Sequence, residues 1–425
     1  MWEKIRRIWK LNDLRYNILF VLSLLILFRF AAHIPIPGVD VANLRNFFDS
    51  NQVLGMLNLF TGGAMENFSI VMLGVGPYIT ASIIFQLLTS IIPQLEELSK
   101  EPEGYKKINQ YTRYLTVPLA AVQSFATITV LQRTGQGIVG DLNIIQWVTA
   151  VAMITGGAVF LMWIGEMITE KNVGNGISLL IFAGIVSRVP TAIQQIIATF
   201  DPSRLPMLIA FLVVAVITIV GIVIISEAQR NIPVSYARQI RGNKVYGGMT
   251  SHLPLRVNQA GVIPIIFAIA FVLFPPLIAQ FVMGYTSGFM TSICQFVIQL
   301  FNNQLFYGVA YFSLVFAFTY FYTAVIFHPE QIAENLQKQG GFIPGIRPGK
   351  LTAEYLGKVS NHILLAGAAF LGIIAILPLI IKAIGGNSFA SLAIGGTSLL
   401  IVVSVAIETV KSIDSQLTVR DYENF

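Results

Sequence analysis

The hydrophobic positions of this chain fall into ten long runs, which recur from one end to the other and are separated by polar segments. Each run is about 20 residues long, the length that a helix needs to cross about 30 Å of hydrocarbon. The apolar residues follow one another without the alternation that membrane β-strands require, so the pattern predicts helices. The predicted spans are residues 17–33, 70–92, 112–131, 146–168, 176–199, 205–226, 258–283, 304–327, 361–383 and 390–411.

Composition favours a membrane protein over a soluble domain. Of the 425 residues, 55% are hydrophobic and only 11% are charged, whereas soluble domains carry about a quarter charged residues. The net charge of +6 fits basic loops beside a membrane better than nucleic-acid binding. An apolar segment near residues 288–301 is too short to cross and is expected at the interface. The expected fold class is therefore an all-α membrane protein.

The basic residues divide unequally between the two sides of these spans. One side carries 21 of the 27 Lys and Arg residues, and the other side carries five. Positive charge favours the cytoplasmic side, so both termini are expected there. Arg29 lies inside the first run, about one turn from its outer end. It can reach the interface or a neighbouring carbonyl, and the alternative is an internal ion pair.

The spans carry few groups that could bind a small solute or perform chemistry. The acidic residues nearest to them fall at cytoplasmic span ends, namely Glu166, Glu170, Glu227 and Glu408. The four His residues lie in loops or at span ends, without the spacing of metal ligands, and no hydrolase or phosphate-loop motif is present. The sequence therefore predicts no catalytic residues, no metal and no cofactor.

Two kinds of irregular segment interrupt the spans. Residues 55–68 are moderately apolar and too short to cross, and Gly62 and Gly63 lie near their end. They form either a short helix folded back as a movable stopper or an ordinary outer loop. The segments 227–257 and 328–360 are far longer than usual connections and are rich in Pro, Gly and basic residues. We expect them to dock a ribosome or a motor protein, with contact to anionic lipids as the alternative.

Some spans also carry branched apolar residues four positions apart. Val75 and Ile79 share one helix face, and so do Ile177 and Ile181. This spacing fits ordinary packing between helices as well as a specialised apolar face.

Several unusual strings, in order along the chain, make it resemble the SecY family of protein-conducting channels over nearly its full length. They include Leu59-Phe-Thr-Gly-Gly, Gly76-Pro-Tyr-Ile-Thr, Gly174-Asn-Gly-Ile-Ser, Ile232-Pro-Val-Ser-Tyr-Ala-Arg and Phe342-Ile-Pro-Gly-Ile-Arg-Pro-Gly. The resemblance implies a channel subunit, not an enzyme, that moves unfolded, signal-bearing polypeptides across the membrane or sideways into it. The competing class is a secondary transporter of a small solute, which would need a polar pocket near mid-membrane.

The resemblance also implies ten transmembrane helices in two pseudo-symmetric halves of five around an hourglass pore. The halves would be residues 1–200 and 201–411, followed by a cytoplasmic tail at 412–425. The waist would carry a ring of six side chains: Val75, Ile79, Ile177, Ile181, Ile266 and Ile401. A plug near residues 54–66 would include Leu57, Phe60, Gly62 and Gly63. A lateral gate, between spans two and three on one side and seven and eight on the other, would include Ile83, Gln86 and Phe274.

The remaining implications of the resemblance concern partners. The long segments would dock the SecA motor ATPase or the ribosome through Arg238, Arg241, Lys244, Arg347 and Lys350, with Arg347 at the most heavily used position. The small SecE and SecG subunits, signal peptides, translocating polypeptides and anionic lipids are the other implied partners. The expected location is the bacterial cytoplasmic membrane.

Overall fold

The protein is largely helical, and its first half contains seven helices within the described residues. The computed structural model describes residues 6, 9–37, 39, 43–44, 58, 61–133, 143–198, 202, 205–236, 239–241, 244–246, 250–283, 288–385 and 396–423. The helices of the first half are α1 (Asn12–Ala31), α2 (Gly76–Ile91), α3 (Pro93–Lys100), α4 (Pro102–Arg133), α5 (Ile144–Glu170), α6 (Gly176–Val186) and α7 (Val189–Ala198).

The second half combines helices with short strands. Its helices are α8 (Leu205–Glu227), α9 (Ile263–Met283), α10 (Phe289–Asn302), α11 (Gln304–Ile326), α12 (Pro329–Lys338), α13 (Lys350–Gly385) and α14 (Gly396–Glu423). Its strands are β1 (Gln229–Tyr236), β2 (Gln239–Arg241), β3 (Lys244–Tyr246), β4 (Thr250–Arg256) and β5 (Gly341–Phe342).

Each of the ten predicted spans overlaps a helix, but two of them differ from the prediction. The second span begins at Gly76 rather than near residue 70, because residues 61–75 form successive turns and Gly74 has a φ of 58°. The fifth span is split by a turn at Ser187 and Arg188 into α6 and α7. Within the described residues, seven helices are long and apolar enough to cross a membrane, or eight if α2 and α3, which meet at 109°, count as one.

The bend between α2 and α3 has a local cause. Ile92 is extended, with φ −98° and ψ 111°, and Pro93 follows it at the start of α3. Proline disfavours the helical conformation of the residue before it, so the chain turns there. The predicted interfacial segment is the helix α10, of 14 residues.

The two long segments that were expected to be loops are instead folded around a small sheet. The strand order is β4-β1-β5, and β1 pairs antiparallel with β4 from Gln229 opposite Arg256 to Ser235 opposite Thr250. A separate cluster packs against this sheet, formed by Ile232, Val234, Leu255, Leu336, Ile343 and Leu356. We call this unit, β1, β4, β5, α12 and the first two turns of α13, the platform. Alternate apolar positions of β1 face this core, as expected for a sheet with one buried side.

One large apolar cluster joins helices from both halves of the chain. Its buried members include Leu24, Ile164, Ile181, Ile265 and Ile401, from α1, α5, α6, α9 and α14. In contrast, α8 has a mean hydropathy of 3.4 over its most apolar stretch and buries only 11% of it. Such an apolar and exposed surface is suited to lipid rather than to water. The cluster therefore forms the interior, and α8 lies at its periphery.

Helix α14 also contacts the turn that follows α5. The Ser412 hydroxyl and the Gln416 side-chain amide donate hydrogen bonds to the Asn172 carbonyl at 2.6 and 2.7 Å. Lys411 forms an ion pair with Glu227 at 2.7 Å. These polar contacts lie beyond the apolar cluster, at the end of α14 that leads to the C-terminus.

Candidate channel site

The six residues expected at the waist come together in the large apolar cluster. Val75, Ile181 and Ile401 are buried members of it, and Ile79, Ile177 and Ile266 are partly buried and pack against it. Val75 lies just before α2. The other five residues lie on four helices, α2, α6, α9 and α14. Branched apolar side chains from both halves therefore belong to the same cluster.

Local capping fixes the start of α6, which supplies two of these residues. The Asn175 side chain accepts hydrogen bonds from the backbone N–H groups of Ile177 and Ser178 at 3.1 and 3.2 Å. This is the usual role of an Asn that precedes a helix. The backbone of Gly176 also donates to the Thr169 hydroxyl at 2.9 Å, which ties α6 to α5. Ile177 is thus held at the first turn of α6.

None of the fully buried side chains in the described residues carries a charge. In the part of the chain that the structure describes, the buried polar side chains are all Ser, Thr or Asn. Hydroxyl groups on the helices mostly donate to the carbonyl four residues earlier, as Thr319 does to Val315 at 2.6 Å.

The expected gate residues do not all meet. Ile83 is buried in a second cluster with Ala260, Phe267 and Tyr322, where α9 contacts both α2 and α11. The Phe267 ring lies edge-on to the Tyr322 ring at 6.0 Å. Ile79 packs against both clusters, so the gate region and the waist are continuous.

The other two gate residues have different surroundings. Gln86 lies one turn from Ile83, and its side-chain amide nitrogen is 3.4 Å from the Ser82 hydroxyl. Its carbonyl oxygen is buried without a partner among the described residues. Phe274 is exposed on α9, outside the Ile83 cluster.

Two of the four expected plug residues can be described. Gly62 and Gly63 have φ values of 67° and 82° and lie in the turns that precede α2. Leu57 and Phe60 lie outside the described residues. The Arg29 guanidinium donates to the Gly62 carbonyl at 2.7 Å, so it binds a neighbouring carbonyl, one of the two outcomes expected for it.

Three polar residues near Gly62 were not predicted from the sequence to have a role. Glu66 forms an ion pair with Arg188, and Asn58 donates to the same carboxylate at 2.6 Å. Glu66 and Arg188 are 122 positions apart, so no local pattern could link them. The available signal was that Arg188 stands inside the predicted span 176–199 and Glu66 stands just before the predicted span 70–92.

The expected docking residues are described only in part. Arg347 and Lys350 are exposed where the chain leaves β5 and begins α13. The Arg347 carbonyl accepts a hydrogen bond from the Thr352 hydroxyl at 2.9 Å, which fixes the turn. Arg241 and Lys244 are opposite each other in the β2–β3 pair, and Arg238 lies outside the described residues.

One carboxyl group on the platform has a shifted pKa. Glu334 and Lys338 form an ion pair at 2.8 Å on α12. The hydrogen bond from Lys338, together with its positive charge, lowers the pKa of Glu334. Both side chains are exposed, so this pair is a surface feature with little effect on stability.

Comparisons with known proteins agree with this architecture. The SecY family model matches residues 69–410. The protein translocase subunit SecY of Corynebacterium glutamicum is 45% identical over 428 residues, covering 97% of each chain. That of Thermotoga maritima is 42% identical over 435 residues, covering 100% of this chain and 98% of the relative.

Solved structures share the fold at low sequence identity. A structure described as that of a protein conducting channel has a TM-score of 0.64 and 18% identity, covering 92% of this chain and 90% of the other. Sec61 in a canine ribosome–channel complex from the endoplasmic reticulum has a TM-score of 0.61 and 17% identity, with the same coverage. A further SecY structure, whose plug domain is described as stabilising the closed state, has a TM-score of 0.60, 18% identity and the same coverage.

The full-length relatives, the shared fold and the long apolar helices define the class as a multi-pass membrane protein of a protein-conducting translocase. Together with the family match, they identify the particular family: the chain belongs to the SecY family. It is a channel subunit of a protein translocase and not an enzyme.

Proposed function

We propose that this channel seals itself at a waist formed by Val75, Ile79, Ile177, Ile181, Ile266 and Ile401. The observation that carries the proposal is their meeting in one cluster, although they come from four separate parts of the chain. A translocating polypeptide presents every kind of side chain, so a useful waist binds none of them strongly. Branched apolar groups offer neither charges nor hydrogen bonds to the passing chain, and a narrow apolar constriction excludes water and ions.

In this proposal, the contact between α2 and α9 forms the lateral gate of the channel. Ile83 packs there against Phe267 and Tyr322. Separation of these helices would open a path from the waist to lipid, which an apolar signal segment would enter by partition. The two halves, residues 1–200 and 201–411, would move relative to each other as packed units.

The energy for movement would come from partners on the basic side. Curated relatives are translocase subunits, and structural neighbours include ribosome-bound channel complexes. Arg347 and Lys350 are exposed on the platform and suit docking of a ribosome or the SecA motor. The other proposed partners are SecE and SecG subunits and anionic lipids. We assign the protein to the bacterial cytoplasmic membrane with both termini in the cytoplasm, in line with the excess of basic residues on one side.

The decisive experiment reconstitutes the protein into vesicles with a cytosolic motor, ATP and a signal-bearing substrate. We expect the substrate to become protected from added protease only when all components are present. Motor-independent, saturable uptake of one small compound, without protection of any polypeptide, would instead identify a solute transporter.

The waist itself is tested by Ile401→Asn. Burial of an amide in an apolar cluster costs roughly 1–3 kcal/mol, which shifts the closed state toward opening by about tenfold or more. We expect greater ion leak and acceptance of weak signal sequences. The control is Leu400→Asn, because Leu400 is equally buried on the same helix but is not a waist residue. Equal leak from both variants would count against the assignment of the waist.

A further inference from the structure

Four side chains hold the turns at residues 61–69, which we call the outer turn segment. Arg29 donates to the Gly62 carbonyl at 2.7 Å. Arg188 forms an ion pair with Glu66. Asn58 donates to the Glu66 carboxylate at 2.6 Å and accepts from the Glu66 backbone N–H at 3.2 Å. The segment is therefore tied by side chains to the end of α1 and to the turn after α6.

A second attachment holds the other end of the same segment through the backbone. The Ile36 N–H donates to the Phe68 carbonyl at 2.9 Å, and the Ile70 N–H donates to the Ile34 carbonyl at 3.1 Å. These bonds form a short antiparallel bridge between Pro35 and Ser69. The bridge does not involve the charged side chains, so release of those side chains leaves residues 68–70 anchored.

Two positive side chains and one negative side chain meet at this place. Arg29 lies beside Gly62 and Arg188 beside Gly63, and the Glu66 carboxylate is the acidic group that accepts from Arg188. Glu66 and Arg188 are only about a quarter exposed, at 26% and 27%. Loss of one partner would leave the other charge partly desolvated and unpaired, which is the costly way to break an ion pair.

The outer turn segment is also continuous with the waist. Ala64 and Val71 are buried in the same cluster as Val75. A side chain added at Gly74, the residue before Val75, would lie 3.3 Å from the Thr61 side chain. Displacement of the segment therefore removes packing from the start of α2, where two waist residues stand.

From this arrangement we infer that Arg29, Glu66 and Arg188 form an electrostatic latch that sets how strong a signal sequence must be to open the channel. The inference rests on the proposed function and adds specificity-determining residues to it. A signal opens the channel only if its binding favours the open state by more than the latch favours the closed state. A weak signal fails for that reason, and a weakened latch admits it.

The test compares Glu66→Gln, Arg188→Gln and the double variant in vesicles that contain motor, ATP and either a normal or a weakened signal. We expect each single variant to raise translocation of the weak-signal substrate about tenfold and to leave the normal substrate within twofold of wild type. The double variant should exceed neither single variant, because each single change already breaks the pair and the double change leaves no unpaired charge.

The matched control is a second ion pair, Arg113 with Glu166, which joins α4 to α5 at 2.6 Å. Arg113→Gln and Glu166→Gln should leave the discrimination between signals unchanged. Purified variants that melt near the wild-type temperature exclude general unfolding as the cause.

Each outcome has a separate meaning. Wild-type discrimination in Glu66→Gln and Arg188→Gln overturns the latch, and so does a double variant whose effect is the product of the two single effects. Failure of the wild type to protect even the normal substrate would instead overturn the proposed function. A relaxed Arg113→Gln variant would show that any lost ion pair loosens the channel, and the specific latch would be rejected.

Discussion

At the residue scale, the closeness of the outer turn segment to α6 depends on Gly62. A β-carbon at this position would lie 2.6 Å from the Gly184 Cα, and the backbone φ is 67°. Both conditions favour glycine, because other residues rarely adopt this conformation and the gap is too small for a methyl group. Gly62 is also the residue whose carbonyl accepts the hydrogen bond from Arg29.

We predict that Gly62→Ala weakens the closed state. The left-handed conformation costs about 1–2 kcal/mol for a residue with a side chain, and the methyl group must also push the segment away from Gly184. The expected result is a higher ion leak in vesicles and acceptance of weak signals. Gly288→Ala is the control, since Gly288 has a φ of 78° but nothing within 4 Å; its leak should equal that of the wild type.

The sequence alone could predict some of these residues and not others. Val75 with Ile79 and Ile177 with Ile181 stand four positions apart, so helical periodicity alone puts each pair on one face. Their convergence with Ile266 and Ile401 came from resemblance to a family, not from spacing. Glu66 and Arg188 could not be paired, because a contact between residues 122 positions apart depends on how the helices pack.

At the element scale, the platform shows where hydropathy is a poor guide. Its strands are short and its loops polar, so the segments 227–257 and 328–360 were expected to be loops. The alternation of Ile232 and Val234 in β1 was the sequence feature that could have indicated a strand, and both residues face the platform core. Their partners Leu336 and Leu356 come from helices about 100 positions later. This separation along the sequence is why local patterns could not predict the platform core.

We predict that Leu356→Ala loosens the platform without disturbing the membrane helices. Leu356 is fully buried in the platform cluster, and replacement of a buried Leu by Ala costs about 2–5 kcal/mol. Limited proteolysis should cut residues 237–249 faster, while the purified variant still passes as an intact membrane protein on gel filtration. Leu351→Ala, on the same helix but 52% exposed, should be cut at the wild-type rate. Equal cutting of both variants would refute a shared platform core.

At the scale of the whole molecule, most basic residues lie outside the long apolar runs. The spans could be predicted well because lipid imposes long apolar helices, and the basic residues indicated one orientation. The turns at 61–68 fall in the segment predicted to be irregular. The continuation of these turns to residue 75 and the split between α6 and α7 could not be predicted, because they lie within apolar sequence. The sequence shows no motif for driving chemistry, and the proposed function therefore assigns the energy to docked partners.

The last prediction concerns that dependence. Arg347 is exposed at a turn that the Thr352 hydroxyl fixes through the Arg347 carbonyl, so a change of its side chain should alter docking and leave the fold intact. Arg347→Glu replaces attraction of an acidic partner surface by repulsion. We expect motor-driven translocation to fall at least about tenfold, with unchanged ion leak.

The matched control for Arg347→Glu is Lys338→Glu, which changes the net charge by the same amount on the same platform. Lys338 pairs with Glu334 at the surface, so its loss should cost little stability. If docking reads the position of Arg347, this control keeps translocation within about twofold of wild type. If docking depends only on the total positive charge, the two variants lose translocation activity equally. Raised salt then lowers the activity of both variants to the same extent.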